Sequence, residues 1–186
     1  MNTLDSWVPP PASFLKLNFD GASKGNPGEA GYGGIFRDHK GNPALIFYGS
    51  IGWDTNNSAG LEGLWQGMQL AQRYNFFPLE IEGDSQILIN MTQKLLSGSS
   101  PSRVAKSWRL MARLELIASW LQDKRAICFR HTKRAGNKVA DLLANLGVGS
   151  TQTLTEGPLA IIHDSKLHQD CTLLVHQDYN PPAAGD

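Results

Sequence analysis

Phe19-Asp20-Gly21-Ala22-Ser23-Lys24-Gly25-Asn26-Pro27-Gly28 is the stretch whose reading decides the fold of this chain. Leading into it, Leu15, Leu17 and Phe19 alternate with Lys16, Asn18 and Asp20, the period-2 pattern of a half-buried strand over 15–20. That strand delivers one carboxylate, Asp20, to its end, beside a tight turn. Gly21, Gly25 and Gly28 carry no Cβ, so the backbone there can take positive φ and lie close to a ligand. A carboxylate in that setting suits a divalent cation, which takes hard oxygen ligands. The dipeptide Asp-Gly alone fits a plain surface hairpin equally well, so the argument rests on the whole run and its surroundings.

Working outward, a second strand is expected at 31–37, a turn at Asp38-His39-Lys40-Gly41-Asn42 and a third strand at 44–50, together an antiparallel meander. Asn56, Asn57 and Ser58 are candidate caps for a helix reaching Tyr74, with Leu61, Leu64, Met68 and Ala71 as its apolar stripe. A short strand, 79–83, delivers Asp84 to its end. A helix over 85–96 follows, then a break at Ser97-Gly98-Ser99-Ser100-Pro101. Ser102 is placed to cap a long helix to Leu121. A last strand at 126–129 and a helix from Asn137 to Leu146, closed by Gly147, complete the order β-β-β-α-β-α-α-β-α. This is one α/β domain with a mixed sheet and helices on its faces. Residues 1–13, with Pro9-Pro10-Pro11, read as a linker outside the core, residues 14–149 as the folded domain, and 150–186 as an extension of unassigned role. In that extension, Leu159–Ile162 and Leu173–Val175 are apolar and would pair as edge strands or pack on the core, while Pro181–Asp186 reads as disordered.

The 186 residues hold 17 basic and 17 acidic side chains, but unevenly. Residues 103–138 contain ten basic side chains and two acidic ones, which leaves the remainder equally negative and points to one side that faces a polyanion. Arg103, Lys106, Arg109 and Arg113 are spaced to share one helix face, which is either a phosphate grip or an ordinary solvated face. The two cysteines, Cys128 and Cys171, are too few and too far apart for a metal site or a disulfide framework and fit an intracellular protein of nucleus or cytoplasm. No apolar run reaches the roughly 18 residues of a membrane span, and Met1–Pro11 lacks the pattern of a secretory signal.

The run 19–28, followed by Gly31-Tyr32-Gly33-Gly34-Ile35, resembles the first strand and turn of ribonuclease H domains, most closely those of the plant retroelement (non-LTR retrotransposon, reverse-transcriptase-like) type. The resemblance covers roughly 14–147. It implies a ribonuclease H-like α/β fold with a five-stranded mixed sheet, three strands antiparallel and two parallel, whose first strand is central and parallel to the fourth. Phe19-Asp20-Gly21, Gly83-Asp84-Ser85-Gln86 and Asn137-Lys138-Val139-Ala140-Asp141 match three of that family's four acidic motifs. The resemblance therefore implies that Asp20, Asp84 and Asp141 are catalytic and hold Mg²⁺, with Mn²⁺ as the alternative. Clustered carboxylates repel, and divalent cations relieve that repulsion while activating a water against a phosphodiester. His131 matches a mobile-loop histidine that assists product release, although a solvated loop histidine fits as well. Asn26, Asn57 and Gln86 match positions that contact the nucleic acid, and Arg109 and Arg113 are the expected phosphate contacts.

The departure is at the fourth acid. Where the family has Thr-Asn-Asn-x-x-Glu, this chain reads Thr55-Asn56-Asn57-Ser58-Ala59-Gly60. Glu62 lies two positions on, a rotation of about 200° around a helix. It falls in register with Gln66, Gln69 and Arg73 and is expected in solvent, while Gly60 falls with Leu64, Gly67 and Ala71 on the sheet side. Three function classes stay open: an endonuclease cutting the RNA strand of RNA–DNA hybrids, an inactive descendant that binds nucleic acid, and a DNA nuclease or integrase of the same superfamily. The expected setting is a larger retroelement polyprotein, with the isolated domain a monomer.

Overall fold

The computed structural model describes residues 6–123, 126–162 and 165–178. Its first three strands, β1 (Leu15–Gly25), β2 (Gly28–Arg37) and β3 (Pro43–Asp54), form the expected meander, each longer than its hydrophobic pattern. β1 does not end at Asp20. Gly21 through Gly25 pair with Tyr32 through Gly28, so the residues assigned to a turn are strand, and Asp20 lies within β1. Glycine is needed at position 21 because a Cβ there would stand 2.0 Å from the backbone nitrogen of Gly60.

Helix α1 (Asn56–Tyr74) is capped by Thr55, which accepts from the Ser58 backbone, and not by Asn56, Asn57 or Ser58. β4 (Leu79–Gly83) runs parallel to β1, and α2 (Gln86–Leu96) follows. The single helix expected from Ser102 to Leu121 is split into α3 (Pro101–Val104) and α4 (Trp108–Leu121), because Ala105 is extended and Ser107 takes the extended conformation that serine favours before a helix. Arg103 and Lys106 therefore do not share a helix with Arg109 and Arg113. β5 (Ile127–His131) pairs with β4, and α5 (Lys138–Val148) runs to Gly149.

The sheet has six strands, not five, in the order β5-β4-β1-β2-β3-β6. The sixth, β6 (Thr155–Gly157), comes from the C-terminal extension and pairs antiparallel with β3. Leu159–Ile161 then makes a 3₁₀ turn, and 173–175 lies in helix α6 (Ser165–Asp178), so neither apolar run is an edge strand. Ile162, Cys171 and Val175 pack with Ile35, Ile46, Val139 and Leu143 on the α5 face. On the opposite face Leu17, Phe19, Phe36 and Phe47 meet Leu61, Leu64 and Met68 of α1. Pro181–Asp186 lies outside the described residues. Both cysteines are free thiols, and no helix among the described residues is long and apolar enough to cross a membrane.

The N-terminal stretch corrects the linker reading. Lys16 and Asn18, assigned to the wet face of β1, are buried, and buried polar groups need partners. Trp7 and Val8 supply them. Trp7, itself 2% exposed, donates from Nε1 to Asn18 Oδ1 at 2.9 Å, and Lys16 Nζ donates to the Val8 carbonyl at 2.6 Å. Trp7 is thus part of the core, while its neighbours Ser6, Val8 and Pro9 keep the exposure expected of a linker.

Candidate active site

The site is set by strand register. β1 and β4 pair in parallel as far as Asn18 and Glu82. Two residues further along each chain stand Asp20 and Asp84, just past the end of β4. Asp141 enters from the first turn of α5, its backbone N–H bonded to the Asn137 carbonyl at 3.0 Å. The three carboxylates line one cleft together with Asn57, Gly60, Leu88 and Arg134.

Their charges feel one another. Burial first, then the neighbouring Asp84 and Asp141 charges, push the Asp20 carboxyl up from 3.8 to about 8, against a hydrogen bond from the Gly21 N–H and the Arg134 charge. Burial also raises Asp84, and Asp141 adds to the rise, while Arg134 and His131 oppose it. Among the described residues no three His, Cys, Asp or Glu side chains are gathered closely enough to hold a metal ion. The donor chemistry, carboxylate oxygens on partly buried Asp20 and Asp84 and exposed Asp141, with the Asp84 and Asp141 charges raising the proton affinity of Asp20, nevertheless fits a hard divalent cation.

The other expected residues scatter. Asn57 lines the cleft, and Asn26 stands beside it, accepting from the Asn56 backbone N–H at 3.1 Å and so fixing the start of α1. Gln86 is exposed and donates to Asn90 at 2.8 Å instead of lining the cleft. His131 ends β5, its Nε2 3.1 Å from the Asp84 carbonyl oxygen, and borders a neighbouring hollow with Lys16, Arg130 and Lys133. Arg109 and Arg113 lie elsewhere, pairing with Asp54 at 3.4 Å and with Glu62 respectively.

Glu62 is not in solvent. It is 6% exposed, ion-paired to Arg113 and accepting from Gln66 at 2.7 Å, so the register that removed it from the cleft buried it against α4. Gly60 does face the cleft. A Cβ there would come 2.6 Å from the Leu88 Cδ1 methyl, the movable tip of a side chain, so no backbone contact demands glycine at this position. Leu88 forms an apolar wall beside the carboxylates. Sequence reasoning singled out neither Leu88 nor Arg134: the first reads as a core leucine of α2, and the second is one cation among ten. Asn137 stands at the N-cap position of α5, but its side chain makes no capping bond and instead donates to the Phe19 carbonyl at 3.0 Å.

The five strands β5-β4-β1-β2-β3, with β1 central and parallel to β4 and with β6 added at the edge, form a ribonuclease H-like fold. Residues 18–147 match the family described as "Reverse transcriptase-like". A ribonuclease H of Bordetella avium is 31% identical over 76% of this chain and 94% of its own length. The chain belongs to this ribonuclease H family. An Arabidopsis thaliana protein named for ribonuclease H is 33% identical over 75% of the chain, which spans only 21% of that protein's length. Among solved structures, LC11-RNase H1 in complex with an RNA/DNA hybrid superposes with a TM-score of 0.61 at 26% identity, over 72% of this chain and 96% of that one.

Proposed function

We propose that this domain is a divalent-metal-dependent endonuclease acting on the RNA strand of RNA–DNA hybrids, weakened because Gly60 stands where its family places a glutamate. The observation that carries the reading is the convergence of Asp20, Asp84 and Asp141 on one cleft of a ribonuclease H fold. Asp20 and Asp84 would hold Mg²⁺ or Mn²⁺, with Asp141 completing the anionic wall. Bound there, the ion supplies Lewis acidity toward a phosphodiester and an acidified water. Asn57 in the cleft, on a helix start that Asn26 fixes, is positioned to meet the RNA strand, whose 2′-OH distinguishes it from DNA. His131, beside Asp84, is available to exchange a proton or ease product release. The hybrid bound by LC11-RNase H1 supports the substrate class. The expected setting is the interior of the cell, as one module of a retroelement polyprotein.

A second reading, an inactive hybrid-binding module, is favoured by one observation: Leu88 occupies the space a side chain at position 60 would need. Cleavage of one hybrid substrate with Mg²⁺ and with Mn²⁺ separates the two. We expect weak wild-type cleavage, rescued by Gly60→Glu combined with Leu88→Ala by about 10²–10³, the worth of one electrostatic contact to the reacting groups. Glu62→Gln should leave the metal dependence unchanged, since Glu62 is committed to Arg113. Hybrid binding without cleavage by any of these proteins would establish the second reading instead.

A further inference from the structure

Trp7 is 2% exposed, Asn18 0% and Asn137 1%, and they form a chain of hydrogen bonds whose directions are fully determined. The indole Nε1–H only donates, so Asn18 must turn its oxygen to Trp7, as it does at 2.9 Å. The Asn18 amide nitrogen then faces the other way and donates to Glu82 Oε1 and to Asn137 Oδ1, both at 3.2 Å. With its oxygen engaged, Asn137 must donate from its own nitrogen, and it does so to the Phe19 carbonyl at 3.0 Å. Phe19 precedes Asp20, and the Asn137 carbonyl accepts from the Asp141 N–H at 3.0 Å. The far end of the chain therefore joins the strand that carries Asp20 to the helix turn that carries Asp141.

We propose that Trp7 is a positioning residue for the carboxylate cleft: its indole N–H satisfies the Asn18 oxygen and so completes the chain of two buried amides, Asn18 and Asn137, that holds β1 and the start of α5 in fixed relation. The proposal rests on the reading of that cleft as the reactive site. The segment is gripped at a second point, since Lys16 donates both to the Val8 carbonyl at 2.6 Å and to Glu82 at 2.8 Å. The indole plane also lies over Arg37, whose guanidinium carbon is 4.0 Å from the ring centroid. Phenylalanine would keep that cation–π contact and most of the buried area, but it has no N–H. Asn18 Oδ1 would lose the Trp7 donor, and because Glu82 and the Phe19 carbonyl only accept, neither amide can turn over to compensate. A buried oxygen left without a donor is costly, so the Asn18–Asn137 chain would shift away from its place between β1 and α5.

The test is Trp7→Phe in the full chain, compared with wild type in two measurements at a temperature where both are folded. The first is the side-chain amide resonances of Asn18 and Asn137 in metal-free protein, and the second is Mn²⁺ affinity by calorimetry. We expect the Asn137 amide signals to shift or broaden and Mn²⁺ binding to weaken about 10-fold, the lower end of what loss of a partner behind a metal ligand does. A purely structural role would lower the melting temperature and move neither quantity, and that result overturns the proposal. If wild type binds no Mn²⁺, the metal reading of the cleft falls and the amide signals alone decide the relay. If Trp7→Phe does not fold, hydrogen exchange in wild type decides: the Trp7 indole N–H and the Asn137 amide protons should be protected together, and rapid exchange of the indole proton would refute the relay.

Discussion

Lys16, Asn18 and Asp20 alternate along one strand, and Glu80, Glu82 and Asp84 along its parallel neighbour, yet the two ends of this polar ladder differ in kind. At the lower end every charge has a partner. Lys16 lies 2.8 Å from Glu82 and 3.9 Å from Glu80, Arg130 pairs with Glu80 at 2.6 Å, and Asn18 is bonded on both sides. At the upper end Asp20, Asp84 and Asp141 face one another, with Arg134 the one cation that lowers both Asp20 and Asp84. The same residue types on the same two strands are structural where charges cancel and are available for a ligand where they do not.

The largest effect should come from breaking the compensated end. Lys16→Met leaves Glu80 and Glu82 buried against a methionine, and removing one partner of a buried ion pair typically costs about 3–5 kcal/mol. A urea unfolding series should show a loss of that size, and a loss well under 1 kcal/mol would mean the two ends are not different after all. Asp84→Asn is the opposite experiment. It should lower hybrid cleavage by about 10²–10³ while leaving stability equal or higher, because it relieves repulsion. A drop in stability comparable to Lys16→Met would mark Asp84 as structural.

A smaller effect sharpens the contrast through pH. The folded pKa of Asp20, about 8, lies above its ordinary 3.8, so across that window the folded state holds a proton that the unfolded state has lost. Metal-free stability should therefore fall as pH rises through the window and level off above it. Asp20→Asn should flatten the slope, and a wild-type stability that rises over the same range would contradict the burial of this carboxyl. The smallest expected effect concerns the basic face. Arg109 already pairs with Asp54 and stacks on Trp108. Arg109→Ala should lower the salt slope of hybrid binding by at most about 1, the signature of one phosphate contact. A change several times larger would make this face, and not the cleft, the main grip.

The gap between sequence and structure follows the range of the forces involved. Alternation in 15–20 and the stripe Leu61, Leu64, Met68 are local patterns, and the meander, α1, α2 and α5 came out within a few residues of where those patterns put them. The reading of one long helix from Ser102 failed at Ala105 and Ser107, whose extended backbone breaks it, because serine is as good a cap at 107 as at 102 and the local sequence does not choose between them. Glu62 shows the same limit from the other side. Helical phase alone established that it turns away from Gly60, but only the position of α4 determined that it is buried against Arg113 rather than wet. The burial of Trp7 escaped the linker reading for a similar reason: a proline-rich segment has no periodicity, and nothing local says that Asn18 and Lys16 lack partners until Trp7 and the Val8 carbonyl are laid over them.

By itself the sequence determined the family, the three-strand meander and the places of α1, α2 and α5, and it singled out Asp20, Asp84 and Asp141 as candidates, because strand and helix periods and short motifs are encoded within a few residues of one another. The tertiary structure alone decided that Glu62 is buried against Arg113, that Leu88 fills the space beside Gly60, and that Trp7 reaches Asn137 through Asn18. Each of these joins residues tens of positions apart, where contact depends on how whole elements pack and no local pattern carries the information.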